Sequence, residues 1–163
     1  MAQEPLWTLS HRADPVAVRL ADRHYSRQKI GTPQFVPPGR CAVFVTPTHD
    51  AVWVTSWPYA EYVKHAWAGA WVCSLFRNES VVRSSVLIEA AVAATRWVWG
   101  AAPPLGMVTF IDREKTLPKE VPGWCYRRAK FKHVGETRGG LVVLQLTPHR
   151  MPAPAPLLDS LPL

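Results

Sequence analysis

Hydrophobic residues fall along the chain in short runs of β-branched and aromatic residues and in one longer apolar stretch. The runs at residues 41–47 and 51–57 are separated by turn residues at positions 48–50, which predicts a β-hairpin. Similar runs predict further strands at residues 6–9, 70–76, 105–112 and 133–146, the last stretch holding one or two strands.

Two helices are indicated by their end signals and their periodicity. Asp14 followed by Pro15 supplies an N-cap and a first helical residue, and this helix is predicted to reach residue 27. The stretch 85–99 is apolar on nearly all sides, so it predicts a largely buried helix, ended by Gly100.

Proline and glycine mark the remaining connections. Residues 31–40 predict a loop, residues 59–67 a bend or short helix, and a further short helix is predicted after Pro122. The Pro-rich segment 148–163 predicts an extended or mobile tail, which leaves a single domain at residues 1–147. The order of the elements predicts an α/β or α+β fold with a sheet covered by helices.

Composition adds a compartment and a class of partner to this outline. The 163 residues suffice for one domain, and the formal net charge of +7 favours a polyanionic partner such as nucleic acid, although a basic surface can also serve solubility alone. Three widely spaced cysteines without a C-x-x-C pair indicate a reducing compartment and argue against structural zinc. With no apolar signal region and no run long enough to cross a membrane, the expected location is the cytoplasm.

The polar loop before the long helix is a candidate anion site. The first N–H groups of a helix have no backbone partner and carry the positive end of its dipole, so helix mouths collect anions. We expect a phosphate-bearing group here, from an acyl carrier or from a nucleic acid. The candidate residues at this mouth are Arg77, Asn78, Arg83, Ser84 and Ser85.

Two other places carry candidate chemistry. Asp112 ends a buried strand, where a carboxylate can orient or deprotonate an amine, or can simply cap a turn. His24, Tyr25 and Arg27 follow a basic helix and suit contact with a nucleotide, with His24 as a proton carrier; a helix C-terminus alone also favours His and Arg. His24, His65 and Asp112 have metal-ligating side chains, but their scatter along the chain leads us to predict no metal.

Basic residues with aromatic neighbours recur further along the chain. Arg127 and Arg128 follow Trp124 and Tyr126 closely, a combination that suits a nucleic-acid backbone and an unstacked base, while a solvated charged face is the alternative. An enzyme that modifies a base within a duplex must extrude it, so a pocket with an aromatic wall and a basic rim is expected.

In the second half of the chain, a strand, a helix with an anion-binding mouth and a strand ending TFID precede CYRRAKFKHVGET. This part of the chain resembles the GNAT acetyltransferase fold: Tyr126 and Phe131 match the family's Tyr and Gly-Phe elements, and Lys130 stands in place of the glycine. The resemblance implies a mixed, mostly antiparallel sheet, acetyl-CoA or another activated acyl donor, and Tyr126 as the acid that protonates the leaving thiolate. The family's loop glycines are replaced here by RNESVVRSS.

A narrower resemblance is to the phage Mom-like proteins that modify adenine in DNA. Residues 109–112 (TFID) are similar to that branch's strand end, residues 126–131 to its Tyr-Arg-Ala-x-Phe element with one residue inserted, and His24-Tyr25 to an early His-Tyr pair. This resemblance implies a DNA partner and a nucleobase amine as acceptor.

Three functional hypotheses follow from the sequence. The first is a GNAT-like transferase acting on a nucleobase amine in DNA, with Asp112 as base or orienter and Tyr126 as acid. The others are an acetyl-CoA-dependent N-acetyltransferase acting on a small amine or a protein, and a basic nucleic-acid-binding module without catalysis. The first requires two strands that part beside the mouth of the long helix, so that Asp112 and Tyr126 share one cleft.

Overall fold

The fold is a single mixed β-sheet with helices packed against it. The computed structural model describes residues 4–25, 30–33, 39–115 and 123–158. Within these ranges the α-helices are α1 (Pro15–Asp22), α2 (Ser84–Trp99) and α3 (Trp124–Arg128), and short 3₁₀ helices span Ala60–Tyr62 and Pro148–Arg150. The strands are β1 (Thr8–Leu9), β2 (Gly39–Val45), β3 (Ala51–Pro58), β4 (Trp71–Asn78), β5 (Met107–Ile111), β6 (Lys132–Glu136) and β7 (Val142–Leu146).

Strand order confirms the predicted class. The seven described strands lie in the order β1-β2-β3-β4-β5-β7-β6, and all neighbours are antiparallel except β4 and β5. A parallel pair needs a crossover connection, and α2 supplies it by passing from the end of β4 back to the start of β5. The α+β class expected from the sequence is therefore correct. No helix among the described residues is both long and apolar enough to cross a membrane.

Helix α1 begins where the sequence predicts and ends earlier. The Asp14 carboxylate accepts a hydrogen bond from the Val16 N–H at 2.9 Å, which caps the helix ahead of Pro15. The helix ends at Asp22 instead of residue 27, and the His24 N–H bonds three residues back, to the Ala21 carbonyl. His24 and Tyr25 therefore lie beyond the helix, and Arg27 falls outside the described residues.

The two faces of the sheet are covered differently. Helix α2 buries Leu87, Ile88 and Ala91 completely against a face that includes Trp53 and Trp71, as its apolar sequence predicts. On the opposite face, α1 packs against alternate residues of β2, β3 and β4, including Val43, Val52 and Leu75.

The described part of the Pro-rich tail, which was predicted to be extended or mobile, packs against the domain. Met151 and Leu157 are buried in the same core as α2. The Ala155 N–H donates to the Ala93 carbonyl at 3.1 Å, and the Leu158 N–H donates to the Trp7 carbonyl at 3.0 Å. The chain up to Leu158 therefore belongs to the folded unit.

Candidate active site between the parting strands

The two parallel strands at the centre of the sheet separate after three residue pairs. The last of these pairs is Cys73 with Thr109. Beyond it, β4 continues alongside β3 as far as Asn78, and β5 continues alongside β7 as far as Ile111. A cavity of about 730 Å³ lies at this separation, a volume typical of small-ligand sites.

Four of the candidate residues from the sequence line this one cavity. They come from three separate places: His24 and Tyr25 after α1, Asp112 at the end of β5, and Tyr126 on α3. His65, from the segment between β3 and β4, lines the same cavity. The fold thus brings together side chains that are up to about a hundred positions apart.

The inner end of the cavity holds a buried phenol and a buried thiol. The Tyr126 hydroxyl lies 3.4 Å from the Cys73 sulfur, and the Thr109 hydroxyl donates to the Cys73 carbonyl at 3.1 Å. Burial raises the pKa of Tyr126 well above its usual value and raises the pKa of Cys73 to about 12. Both groups are therefore protonated at neutral pH, and Tyr126 is a better hydrogen-bond donor than proton donor.

The side chain of Asp112 lines the cavity, and one of its two carboxylate oxygens is bonded within a turn. Its Oδ1 accepts hydrogen bonds from the Glu114 N–H at 3.0 Å and the Lys115 N–H at 3.4 Å, the turn geometry considered as the structural alternative. Its Oδ2 accepts no hydrogen bond from the described part of the chain. Burial raises the pKa of Tyr25, and the backbone N–H of Asp112 partly opposes this shift. Asp112 therefore has one fixed oxygen and one that can receive a proton.

The two histidines of the cavity are neutral at physiological pH. Burial, and to a lesser extent the nearby Arg77 charge, lowers the pKa of His24 to about 4, and its ring stacks on Tyr25 with centroids 4.4 Å apart. Burial also lowers the pKa of His65. The His65 Nδ1 accepts a hydrogen bond from the Trp67 N–H at 3.0 Å, so the neutral ring carries its proton on Nε2.

Aromatic rings and two lysines surround the outer part of the cavity. The stacked pair of His24 and Tyr25 forms part of the lining, and the His65 ring lies 4.8 Å from the ring of Phe110. Lys64 and Lys115 also line the cavity, and both are exposed. Neither lysine is among the residues that the sequence predicts for the site.

Polar groups in the loop before α2 are bonded mainly to one another. The Asn78 side-chain amide donates to the Val82 carbonyl at 2.8 Å and to the Ser84 hydroxyl at 3.0 Å. Its oxygen accepts from the N–H and the hydroxyl of Ser80, and the Val82 N–H bonds to the Ser80 hydroxyl. The side chain of Asn78 thus stabilises the loop by hydrogen bonds to its other residues.

The carboxylate of Glu79 partly neutralises the charge of Arg77 in the loop before α2. Glu79 accepts hydrogen bonds from Arg23 at 2.6 and 2.7 Å and from Arg77 at 3.0 Å. The hydrogen bonds from Arg23 are the main reason why the pKa of Glu79 falls to about 2. Arg83 is exposed at the N-cap of α2 and makes no side-chain cap bond, and Ser85 is half-buried in the first turn.

These contacts decide whether the loop suits the diphosphate of coenzyme A. A diphosphate cradle needs several converging backbone N–H groups without side chains in the way. Here the N–H groups of Ser80 and Val82 are already bonded, and the carboxylate of Glu79 adds negative charge. The residues present therefore do not fit the diphosphate grip of coenzyme A.

The remaining candidates lie away from the cavity lining. Arg127 is half-buried on α3, and the exposed Arg128 places its guanidinium 6.0 Å from the centroid of the Trp124 ring. Within the described ranges, no group of three or more His, Cys, Asp or Glu side chains is arranged to hold a metal. Comparison of the chain with protein-family models, with curated proteins and with solved structures found no match.

Proposed function

We propose that this protein is a GNAT-like transferase that moves an acyl group onto the exocyclic amine of a nucleobase in DNA. The observation that carries the proposal is the convergence of His24, Tyr25, Asp112 and Tyr126 on one cavity between β4 and β5. Two strands that part beside the mouth of the long helix are the arrangement that the resemblance requires, and this supports the fold-level part of the proposal.

Each cavity residue has a task in this reaction. The amine attacks the acyl carbon, and the Oδ2 of Asp112 takes the proton that the nitrogen loses. Tyr126, whose pKa is raised by burial, donates a hydrogen bond to the departing group, which is then protonated by solvent. Because His24 is neutral, it can stack with Tyr25 beside an uncharged base without adding a buried charge.

The donor is an activated acyl compound that is not held through a diphosphate cradle. The loop before α2 does not offer such a cradle, so we derive no step through coenzyme A. The donor must present a carbonyl group that is small enough to enter the cavity and reach Tyr126.

The lining and the charge favour a nucleobase as acceptor. A base extruded from a duplex needs a stacking surface and cations for its flanking phosphates. The stacked His24 and Tyr25 supply the first, and Lys64 and Lys115 supply the second at the rim. The exposed Arg128 and its neighbour Arg127 are proposed to contact the DNA backbone further out, in line with the net charge of +7.

The test is the mass of nucleosides digested from the DNA of cells that produce the protein. We expect an adenine, cytosine or guanine nucleoside of increased mass with the wild-type chain, and its loss with Asp112→Asn. Tyr126→Phe keeps the ring and removes only the hydroxyl, so it should reduce product about 10- to 100-fold. Arg12→Ala removes an exposed charge before α1, at the end of that helix away from His24, and should leave product unchanged.

Two outcomes would contradict the proposal. Unaltered nucleosides together with an acetylated small amine or protein would point to an ordinary N-acetyltransferase. Salt-sensitive DNA binding, with no product in DNA, small molecules or protein, would point to a binding module without catalysis.

A further inference from the structure

We propose that Ser74 is a further catalytic residue, whose hydroxyl donates a hydrogen bond to the carbonyl oxygen of the transferred acyl group. This assignment rests on the proposed function and adds a residue that neither the motifs nor the resemblance identified.

Ser74 is the extra residue of a β-bulge. On the β3 side, Thr55 pairs with Cys73 and Val54 pairs with Leu75, so Ser74 has no counterpart. Bulges of this kind redirect a side chain out of the alternating pattern of a strand and recur next to active sites.

The bulge coincides with the parting of the strands. On the β5 side, Cys73 with Thr109 is the last registered pair, so Ser74 is the first residue of β4 beyond the paired region. It therefore lies at the apex of the opening, where it lines the cavity together with Tyr126 and Asp112. An acyl carbon placed between those two side chains would have its oxygen next to the apex.

The hydroxyl of Ser74 is buried and has no hydrogen-bond partner among the described residues. Native proteins seldom leave a buried hydroxyl unsatisfied, because its lost hydration is then not compensated. Of the described side chains with such an atom, only Ser74 lines the cavity. A ligand oxygen in the cavity would supply the missing partner.

The chemistry balances with this hydroxyl as a donor. The lone pair of the amine nitrogen forms the new C–N bond, and the π electrons of the carbonyl move to its oxygen. The Ser74 O–H stabilises that oxyanion by a hydrogen bond and keeps its proton. When the oxyanion collapses, the C=O bond re-forms, the bond to the leaving group breaks, and the nitrogen proton passes to Asp112.

The experiment measures the rate at which modified nucleoside accumulates in DNA after induction, divided by the amount of protein. Ser74→Ala should lower this rate about 100-fold, as loss of an oxyanion donor does. The melting temperature of Ser74→Ala should be unchanged or higher than wild type, because the removed hydroxyl bonds to nothing in the described structure. A residue with a structural role would instead lower the melting temperature.

A matched control comes from the same cavity. Ser56 is a buried cavity serine whose hydroxyl already bonds to the Val72 carbonyl, at 3.5 Å. Ser56→Ala should keep the rate within about 3-fold of wild type, because an engaged hydroxyl is not a donor to substrate.

The outcomes separate the two claims. A wild-type rate in Ser74→Ala, or an equal loss in Ser56→Ala, overturns the assignment of Ser74 and leaves the proposed function standing. A wild-type chain that forms no modified nucleoside overturns the proposed function and the assignment with it.

Discussion

The half-buried His24, which lines the candidate site, gives the chain a calculable dependence of stability on pH. Burial lowers the pKa of His24 to about 4, against an ordinary value of 6.5. As the pH falls below 6.5 the unfolded chain binds a proton at this position and the folded chain does not, so protonation favours unfolding. The stabilising effect of the neutral ring is complete above pH 6.5 and is lost as the pH falls towards 4.

The size of the effect follows from the two pKa values. Between pH 7.5 and pH 5, linkage predicts that the wild-type chain loses about 2 kcal/mol of unfolding free energy through His24. For a domain of this length that corresponds to a fall in melting temperature of roughly 4–8 °C. Glu79, whose pKa falls to about 2, acts in the same sense as His24, because the unfolded chain again binds the proton first. Its stabilising contribution is lost only below about pH 4.5, outside this window.

The assay is chemical denaturation of wild type, His24→Gln and His65→Gln at pH 7.5 and at pH 5. His24→Gln should remove most of the difference between the two pH values. His65→Gln should remove less of it, since the pKa of His65 is lowered in the same direction but its ring is less buried. Equal losses in wild type and His24→Gln would refute the lowered pKa of His24, and with it the neutral ring that stacks on Tyr25.

Three further predictions concern single features of the structure. Lys130 has φ +77° after α3, a conformation that costs a residue with a Cβ, so Lys130→Gly should raise the unfolding free energy by about 1 kcal/mol in denaturation and Lys130→Ala should not. Asp14→Ala should cost about 1 kcal/mol by removing the cap of α1, whereas Asp14→Asn, which keeps an acceptor, should cost little; equal losses would contradict the cap. Replacing Lys64 and Lys115 by Ala should lower the salt slope of binding to a single-stranded oligonucleotide by about 0.7 per lysine, while Arg12→Ala leaves it unchanged.

Local signals in the sequence predicted most of the elements. The Asp14-Pro15 start, the apolar stretch of α2 with Gly100 at its end, and the hairpin between β2 and β3 depend on neighbouring residues, so a single sequence contains them. The end of α1 was misjudged by about five residues, because no glycine or proline follows Asp22 at once to stop the helix.

Contacts between distant segments could not be predicted in the same way. The salt bridge between Glu79 and Arg23 joins positions 56 residues apart. It places a carboxylate in the loop that was predicted to bind an anion, and so partly neutralises the positive charge there. The bulge at Ser74 is a property of register between strands, which composition does not record. Lys130 has a positive φ, a backbone conformation that favours glycine. The resemblance leads one to expect a glycine at this position.

The central claim is that a base enters the cavity between β4 and β5, and photocrosslinking tests it most directly. A single-stranded oligonucleotide that carries a halogenated, photoreactive base would be irradiated with the protein, and the crosslinked peptides identified by mass spectrometry. We predict crosslinks to Tyr25 or Phe110, which line the cavity, and their loss in competition with unlabelled oligonucleotide. Crosslinks confined to exposed aromatic residues outside it, such as Trp97 or Trp124, would contradict the account.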